Sequence, residues 1–266
     1  MENELSSESI SYGLNTDFIG QHIQYFPRLN STMDTARESA LSGVSEGTMV
    51  LAKEQTAGRG RLGRRWISPR GCLTFSLILY PETGHLAGLV MVAALAVREA
   101  AMAFIPVVVE IKWPNDVLVG GKKICGILVE TGRQVGGRHY AVVGIGLNVN
   151  LNMTAYPELE AATSLSAEAG RDLSYTEVMH LLLARFEYWY KALHNGGPVF
   201  ENWRACLTTL GKEVRILAGG GCYEGIAEDV AQDGSLLLRL QDGQLMKMPV
   251  GDVTLKAFGA DSLYSG

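Results

Sequence analysis

The 266-residue sequence lacks the cysteine and histidine patterns that mark a structural metal site. Its four cysteines form no C-x-x-C pair and its five histidines form no H-E-x-x-H motif, so neither zinc nor a disulfide framework is predicted. No positively charged segment precedes an apolar run at the N-terminus, so no signal peptide is predicted. We expect reduced thiols and a cytoplasmic protein.

Long apolar runs and excess positive charge are also scarce. The most apolar stretch, Leu86 to Val97, is about half as long as a membrane span and is followed at once by Arg98 and Glu99. It therefore predicts a buried helix and no membrane contact. The formal net charge of −5 argues against a protein that coats nucleic acid, because that role needs a basic face.

Alternating helical and strand patterns predict a mixed α/β composition. Ser31 or Thr32 can cap a short helix, and residues 86–104 predict a buried one. Strands are predicted in "TMVLAKEQ", "CLTFSLILY", "VVVEIKWPNDVLVGGKKICGILVE" and "HYAVVGIGLNVNL". Helices follow after Ser174 and in "FENWRACLTTL". From Gly211 onward, four short alternating strands separated by "GGG", "QDG" and "QDG" predict a small β-barrel.

The segment Thr56–Trp66, "TAGRGRLGRRW", places four arginines among three glycines on this acidic chain. We call it the arginine-glycine loop. Glycine lets the backbone approach a ligand closely, and arginine forks bind oxygen anions. The spacing fits neither a P-loop nor a dinucleotide fingerprint. The loop predicts a phosphate or carboxylate site; the alternative is a solvated basic loop, which repulsion among the arginines disfavours.

Three further features have both a functional and a structural interpretation. The "KWPND" stretch (Lys112–Asp116) is a turn between strands, and Gly126 interrupts an apolar strand. Gly144, Gly146 and Asn148 share one face of a strand by parity. Each feature can serve a ligand, or else a turn, a bulge or close helix packing.

Taken together, "GRGRLGRRW", "KWPNDVLVGGKKICGILVE" and "GIGLNVN" resemble the biotin protein ligase family, also called biotin–[acetyl-CoA-carboxylase] ligases. The resemblance implies an enzyme that joins biotin to ATP, giving biotinyl-5′-AMP and pyrophosphate. It then transfers the biotinyl group to a lysine of a biotin carboxyl carrier protein, such as that of acetyl-CoA carboxylase. Mg²⁺ is expected with the triphosphate, although no motif names its ligands.

The same resemblance implies the architecture. We expect an α+β fold: a mixed, largely antiparallel sheet with packed helices, similar to the core of class II synthetases. A small SH3-like β-barrel would follow it. The predicted domains are residues 1–209, which would bind biotin and ATP, and residues 210–266.

Site residues are carried over from the family pattern. Those implied for biotin are Ser31, Thr32, Gln55, Gly58, Arg59, Arg61, Lys123, Gly126 and Gly146. Those implied for the nucleotide are Arg59, Arg64, Trp66, Asn115 and Asn148. Those implied for catalysis are Arg61, Lys123 and Asp116.

Particular roles follow from the same pattern. Arg61 and Lys123 would hold the biotin carboxylate and the adenylate phosphate, and Asp116 would sit near the attacking amine. Gly126 and Gly146 would leave room for the flat bicyclic ring and its chain. Trp66 would cover the adenine.

The sequence departs from the family at two places. Where some members have Ser-Thr-Asn, this chain has Ser31-Thr32-Met33, so the resemblance does not imply a polar contact at the third position. Fewer than about 30 residues precede the first motif, too few for a winged-helix module, so we expect no DNA binding and no repressor activity. A homodimer is possible. A lipoate or octanoate ligase or transferase is the alternative enzyme, and a nucleic-acid-binding module is the more distant one.

Overall fold

The computed structural model describes residues 5–249 and 252–255 and contains two sheets. The strands of the larger sheet are β1 (Ile23–Phe26), β2 (Met49–Ala52), β3 (Cys72–Leu79), β4 (Val109–Lys112), β5 (Asp116–Val119), β6 (Lys122–Arg133) and β7 (His139–Asn148). Their order is β1-β2-β3-β7-β6-β5-β4, and only β1 and β2 run parallel. The predicted mixed, largely antiparallel sheet is confirmed.

Six α-helices lie in the described part of the chain. They are α1 (Ser7–Ser11), α2 (Thr32–Leu41), α3 (Leu89–Met102), α4 (Leu165–Ala169), α5 (Tyr175–His194) and α6 (Val199–Ala205). Ser31 is the N-cap residue of α2, and Ser174 caps α5 by accepting a hydrogen bond from the Glu177 amide. The four helices predicted from the sequence are therefore present.

The two faces of the larger sheet pack against different helices. Along β3, Leu73, Phe75 and Leu77 point into the main core, which α3 and α5 cover. Ile78 points the other way, into a smaller apolar cluster under α2. Because successive side chains on a strand alternate between faces, Ser76 lies on the α2 side as well.

Helix α3 is the buried helix predicted from residues 86–104. Thr83–Met102 is long and apolar enough to cross a membrane by length and composition. In the fold, ten of the fourteen residues of α3 are buried, and the helix packs against α5 and the sheet. It begins at Leu89 because Thr83–Gly88 forms a 3-10 helix. The apolar composition is that of a core helix.

A single carboxylate fastens the N-terminal segment to α5. Glu187 is 6% exposed, and its side chain accepts hydrogen bonds from the backbone amides of Asp17 (2.8 Å), Phe18 (2.9 Å) and Ile19 (3.1 Å). Burial alone would raise the pKa of this carboxyl. The three amides and the Lys191 ammonium outweigh burial and hold the pKa below its usual value, so the group is ionised at neutral pH.

The smaller, C-terminal sheet is fully antiparallel. Its strands are β8 (Glu213–Ala218), β9 (Gly221–Val230), β10 (Leu236–Leu240), β11 (Leu245–Met248) and β12 (Asp252–Leu255), in the order β11-β10-β9-β8-β12. The edge strands β11 and β12 do not pair with each other among the described residues. The sheet is open there, so the SH3-like barrel is not confirmed.

The two predicted domains extend beyond the described residues. Residues 1–4 of the predicted 1–209 domain and residues 250–251 and 256–266 of the predicted 210–266 domain lie outside them. The boundary near residue 209 stays a prediction.

Candidate active site

A pocket opens on the α2 side of the larger sheet, beside the first turn of α2. Twelve of the fourteen residues predicted for the site line it: Ser31, Thr32, Gln55, Arg59, Arg61, Arg64, Trp66, Asn115, Asp116, Lys123, Gly126 and Gly146. We call this the central pocket. The structure thus brings together residues from α2, the arginine-glycine loop and three adjacent strands.

The floor of the pocket is a strip of the sheet that lacks side chains. Strand register places Gly126 of β6 directly opposite Gly146 of β7, and Gly146 opposite Thr74 of β3. One row further along, Gly144 lies between Leu128 and Ser76. We call Gly126, Gly144 and Gly146 the glycine floor. A Cβ at any of these three positions would enter the space above the strands, which neighbouring side chains occupy.

The indole of Trp66 occupies part of this space. A Cβ at Gly146 would lie 2.4 Å from Trp66 Cε2, and one at Gly126 would lie 3.1 Å from Trp66 Cζ3. Trp66 Nε1 is buried with no hydrogen-bond partner among the described residues. The room predicted above these glycines is therefore present in the backbone, but a tryptophan ring fills it. Both the biotin-ring role of the glycines and the adenine role of Trp66 stay predictions.

Uncharged polar groups gather at the α2 end of the pocket. The backbone amide of Thr32 donates to Gln55 Oε1 (2.7 Å), and Ser76 Oγ donates to Thr32 Oγ1 (2.8 Å). Ser31 is 1% exposed, and its buried Oγ has no partner among the described residues. A buried hydroxyl is normally hydrogen-bonded, so this atom is available to a polar ligand.

Met33 lies beside these polar groups. It is 3% exposed, and its Sδ would be 2.5 Å from a Cβ at Gly144, so its thioether rests on the glycine floor. A side chain at Gly144 would therefore require the Met33 thioether to move. This contact also shows what replaces the polar third residue found in some family members: an apolar, polarisable group against the floor.

The arginine-glycine loop folds back on itself as a small hairpin. The amide of Trp66 donates to the Gly58 carbonyl (2.9 Å), and that of Gly60 donates to the Arg64 carbonyl (2.8 Å). Leu62, at the tip, has a φ of 53°, a conformation that non-glycine residues rarely adopt. The loop therefore has a defined backbone that directs its arginines.

Each principal cation of the pocket touches a polar partner. Arg61 Nη1 donates to Asn115 Oδ1 (3.1 Å), and Lys123 Nζ lies 2.6 Å from Asp116 Oδ1. Arg59 pairs with Asp34 outside the pocket (2.7 Å). Asp116 is the one carboxylate among the lining residues of the described chain, against five cations: Arg59, Arg61, Arg64, Arg65 and Lys123. The pocket therefore carries a net positive charge, which favours anionic ligands.

Two predicted residues, Gly58 and Asn148, do not line the pocket. A Cβ at Gly58 would lie 2.5 Å from the Trp66 carbonyl oxygen, so this glycine lets the loop close. Asn148 is 3% exposed; its Nδ2 donates to the Thr163 carbonyl (3.0 Å) and its Oδ1 accepts from Cys72. Both have clear structural tasks, and their ligand roles stay predictions.

The two buried cysteines near the floor are not available as nucleophiles. Burial raises the pKa of the Cys72 thiol to about 12 and raises that of Cys125 as well. Both therefore stay protonated near neutral pH, and only a thiolate attacks an acyl group efficiently. Acyl transfer through a cysteine of this site is not supported.

Comparisons with known proteins agree with this architecture. The family model "Biotin/lipoate A/B protein ligase family" matches residues 25–148, which include the pocket, and the model "Biotin protein ligase C terminal domain" matches residues 209–256. A bifunctional ligase/repressor from Bacillus subtilis is 36% identical over 95% of this chain and 79% of its own length. The chain belongs to the biotin protein ligase family.

Two further relatives of this ligase support the assignment. A biotin–[acetyl-CoA-carboxylase] ligase from Paracoccus denitrificans is 37% identical over 85% of this chain and 97% of its own length. The structure of a biotin protein ligase from Aquifex aeolicus in complex with biotin and ATP is 31% identical, with a TM-score of 0.77. The structural match covers 89% of this chain and 99% of the Aquifex aeolicus chain.

Several lining residues of the ligase were not among the site residues carried over from the family pattern. They are Met33, Gly60, Arg65, Thr74, Phe75, Ile127, Leu128, Gly144 and Ile145. Gly144 lies two residues before Gly146 on β7, so the two glycines share one face of the strand. This spacing alone was sufficient to predict that Gly144 lines the pocket. Thr74 and Leu128 enter through strand register, which connects residues far apart in sequence and leaves no local pattern.

Proposed function

We propose that this chain is an ATP-dependent biotin protein ligase. It activates biotin as biotinyl-5′-AMP, releases pyrophosphate and then transfers the biotinyl group to a lysine of a biotin carboxyl carrier protein. The observation that carries the proposal is the polarity of the central pocket. Uncharged hydrogen-bonding groups lie where α2 begins, and the cations come from the arginine-glycine loop and from β6.

This polarity matches the two ends of the proposed ligand. Biotin has a neutral ureido ring and a carboxylate, and ATP adds a triphosphate. Ser31, Thr32 and Gln55, together with Gly58 of the arginine-glycine loop, would meet the ureido ring. The unpartnered Ser31 Oγ supports this role, because a buried hydroxyl without a partner is costly until a ligand satisfies it.

Adenylation requires concentrated positive charge. The biotin carboxylate must approach the α-phosphate of ATP, and both are anions. Arg61 and Lys123 would hold these two groups and stabilise the charge that develops at phosphorus. Arg59 and Arg64 would direct the triphosphate, and Trp66, Asn115 and Asn148 would bind the nucleoside. Pyrophosphate then leaves, and the biotinyl carbonyl carbon bears AMP as a leaving group.

Transfer requires a neutral amine. The acceptor lysine has an ordinary pKa of about 10.4, so it must lose a proton before it attacks the anhydride. Asp116 is the carboxylate that lines the pocket, and we assign it to orient this amine or accept its proton. Its partner Lys123 would be drawn to the anionic ligand.

Mg²⁺ fits this pocket only as a companion of the triphosphate. The described residues contain no group of three or more His, Cys, Asp or Glu side chains that could hold a metal. A magnesium ion normally keeps several waters and uses one or two carboxylates together with substrate phosphates. Asp116 is the available carboxylate, and the metal remains a prediction.

The deciding experiment is exchange of labelled pyrophosphate into ATP by the purified protein. We expect exchange that depends on biotin and is absent with lipoate in a parallel reaction. Exchange with lipoate alone would mean that the enzyme adenylates lipoate and not biotin. This outcome has to be tested because the matching family model includes lipoate ligases. No exchange with either acid would contradict the proposed enzyme.

Transfer is tested with an acceptor. Labelled biotin should become attached to a purified carrier domain only when ATP is present, and an acceptor with its lysine changed to arginine is the control. The cytoplasmic location, the absence of DNA and membrane binding, the possible homodimer and the closed SH3-like barrel remain predictions.

A further inference from the structure

The C-terminal sheet contains two turns with the same sequence and the same hydrogen bonds. Gln232–Gly234 joins β9 to β10, and Gln241–Gly243 joins β10 to β11; both read Gln-Asp-Gly. In each, the glycine has positive φ (81° and 86°) and its amide donates to the carbonyl three residues earlier (2.8 and 3.0 Å). In each, the aspartate side chain accepts from the amide two residues later. We call them the first and second QDG turns.

Within the part of the chain that the structure describes, the first QDG turn packs against the larger domain, whereas the residues of the second QDG turn are exposed. The Gly234 carbonyl accepts a hydrogen bond from Trp113 Nε1 (2.8 Å), and a Cβ at Gly234 would lie 3.1 Å from Met91 Cε. A Cβ at Gly243 would meet nothing within 4 Å. The first turn is therefore docked on the larger domain, and the second is its undocked counterpart.

Two hydrogen bonds fix Trp113 to residues that come after the larger sheet in the sequence. Its ring donates to the first QDG turn, and its backbone amide donates to Thr209 Oγ1 (2.9 Å). Trp113 is 1% exposed and Thr209 is fully buried. By contrast, the buried indole N–H of Trp203 has no hydrogen-bond partner among the described residues. The Trp113 bond is thus a specific link and not a general property of buried tryptophans here.

Asn115 and Asp116, which follow Trp113 and Pro114, contact two cations of the central pocket. Asn115 accepts from Arg61 (3.1 Å) and donates to the Ile127 carbonyl (2.7 Å). Asp116 pairs with Lys123 at 2.6 Å. A shift of this turn would move both partners of the adenylation cations at once.

We infer that Trp113 is a positioning residue through which the first QDG turn of the C-terminal sheet fixes the Asn115–Asp116 turn, and with it Arg61 and Lys123. The C-terminal sheet would then act on adenylation through Trp113. The kinetic test of this inference rests on the proposed function. The claim that Trp113 fixes the Asn115–Asp116 turn does not depend on that function.

The test compares Trp113→Phe with Trp203→Phe in the full-length protein. Phenylalanine keeps most of the ring packing at both sites but removes a hydrogen bond only at Trp113. We expect kcat/KM of biotin-dependent exchange to fall about 3- to 12-fold for Trp113→Phe, the equivalent of one hydrogen bond. Trp203→Phe should stay within about twofold of the parent. Equal effects of the two variants would overturn the inference.

A double-mutant cycle separates positioning from simple destabilisation. If Trp113 acts through Asn115, the Trp113→Phe/Asn115→Ala protein should be no more than about twofold worse than Asn115→Ala alone. Independent destabilisation predicts that the two losses multiply instead, and that result would refute the inference.

The two QDG turns provide a second pair of variants, should Trp113→Phe fail to fold. Gly234→Ala and Gly243→Ala both force alanine into a positive φ, so both melting temperatures should fall, and that of Gly234→Ala should fall further because its Cβ also lies 3.1 Å from Met91 Cε. Only Gly234→Ala should also reduce exchange, by at least about threefold relative to Gly243→Ala. Equal activities would contradict the inference.

Trypsin cleavage within the arginine-glycine loop is the readout that needs no activity. Cleavage should be faster in Trp113→Phe than in Trp203→Phe, because Asn115, the partner of Arg61, is then no longer held in place. If the parent shows no exchange with biotin or lipoate, the proposed function fails, while this cleavage comparison still decides the positioning role.

Discussion

The glycine floor and the arginine-glycine loop face each other across the central pocket, yet they are held in different ways. The floor belongs to a continuous ladder in which Asp116, Gly126 and Gly146 are neighbours on three strands. The loop is held by its own hairpin bonds and by contacts such as that of Arg59 with Asp34, both 38% exposed.

This difference assigns different tasks to the two sides. Residues of a central sheet open only with much of the core, whereas exposed loop contacts open at low cost. We therefore expect the floor to set the shape of the site before substrates arrive, and the loop to adjust around them. Five predictions test this division.

The largest effect is expected on the floor side, in the transfer step. Asp116→Asn should slow transfer from preformed adenylate by about 100-fold or more, the range of a general base. Pyrophosphate exchange should change by less than about fivefold, because the partly exposed pair with Lys123 contributes little. Transfer at the parental rate would remove Asp116 from the proton-transfer role.

On the loop side, Arg61→Ala should affect adenylation. We expect a loss of about 2–4 kcal/mol in transition-state stabilisation, or roughly 30- to 1000-fold in exchange rate. Arg70→Ala is the matched control, because Arg70 is 77% exposed and pairs with Glu54 outside the pocket. Near-normal exchange by Arg61→Ala would separate the loop from the chemistry.

A substitution in the glycine floor can disrupt its contact with the Trp66 ring of the loop. Gly146→Ala places a Cβ against the Trp66 ring and should lower the free energy of unfolding by about 1–3 kcal/mol, the cost of overpacking. Gly84→Ala is the control, since a Cβ there meets nothing within 4 Å. Urea denaturation of both proteins measures the difference; equal stabilities would mean that Trp66 does not press on the floor.

Protease sensitivity compares the two sides directly. Trypsin should cut the free protein within the arginine-glycine loop, and saturating biotin with ATP should slow that cut by about tenfold or more. Lys123, which is in a strand, should remain uncut in both conditions. Mass spectrometry of the fragments gives both cleavage rates. A rate of cleavage in the loop that is the same with and without ligands would argue against adjustment of the loop around them.

The smallest effect concerns the outer anchor of the loop. Asp34→Asn removes the ion pairs with Arg59 and Arg37, which are exposed. The free energy of unfolding should fall by less than about 1 kcal/mol, and the difference should shrink at high salt. Glu38→Gln, exposed on the same helix, is the control. A salt-independent loss would mean that this anchor is structurally more important than its exposure suggests.

The sequence predicted most of the sheet because its signals are local. The alternation along β3 and the glycine turns between β5 and β6 locate these strands without long-range information. The SH3-like barrel was inferred from the alternation of the short strands after Gly211. A barrel closes only if its two edge strands pair with each other. Sequence alternation does not encode that pairing, and β12 was not foreseen.

The site was predicted as a set of residues but not as an arrangement. Motif positions identified Arg61, Lys123 and Gly146, whereas the place of Trp66 depends on how the hairpin loop folds back. Asn148 illustrates the same limit, since its partner Thr163 lies fifteen residues further along the chain. Rotamers and loop closure depend on neighbours that are distant in sequence.

The Glu187 attachment has a consequence for how the chain matures during synthesis. The amide of Asp17 emerges from the ribosome 170 residues before the carboxylate that receives it. At ordinary elongation rates this interval lasts about 10–30 s. During that time the beginning of the protein has no native partner for these amides. The attachment of this segment to α5 is therefore a late event in the synthesis of the chain.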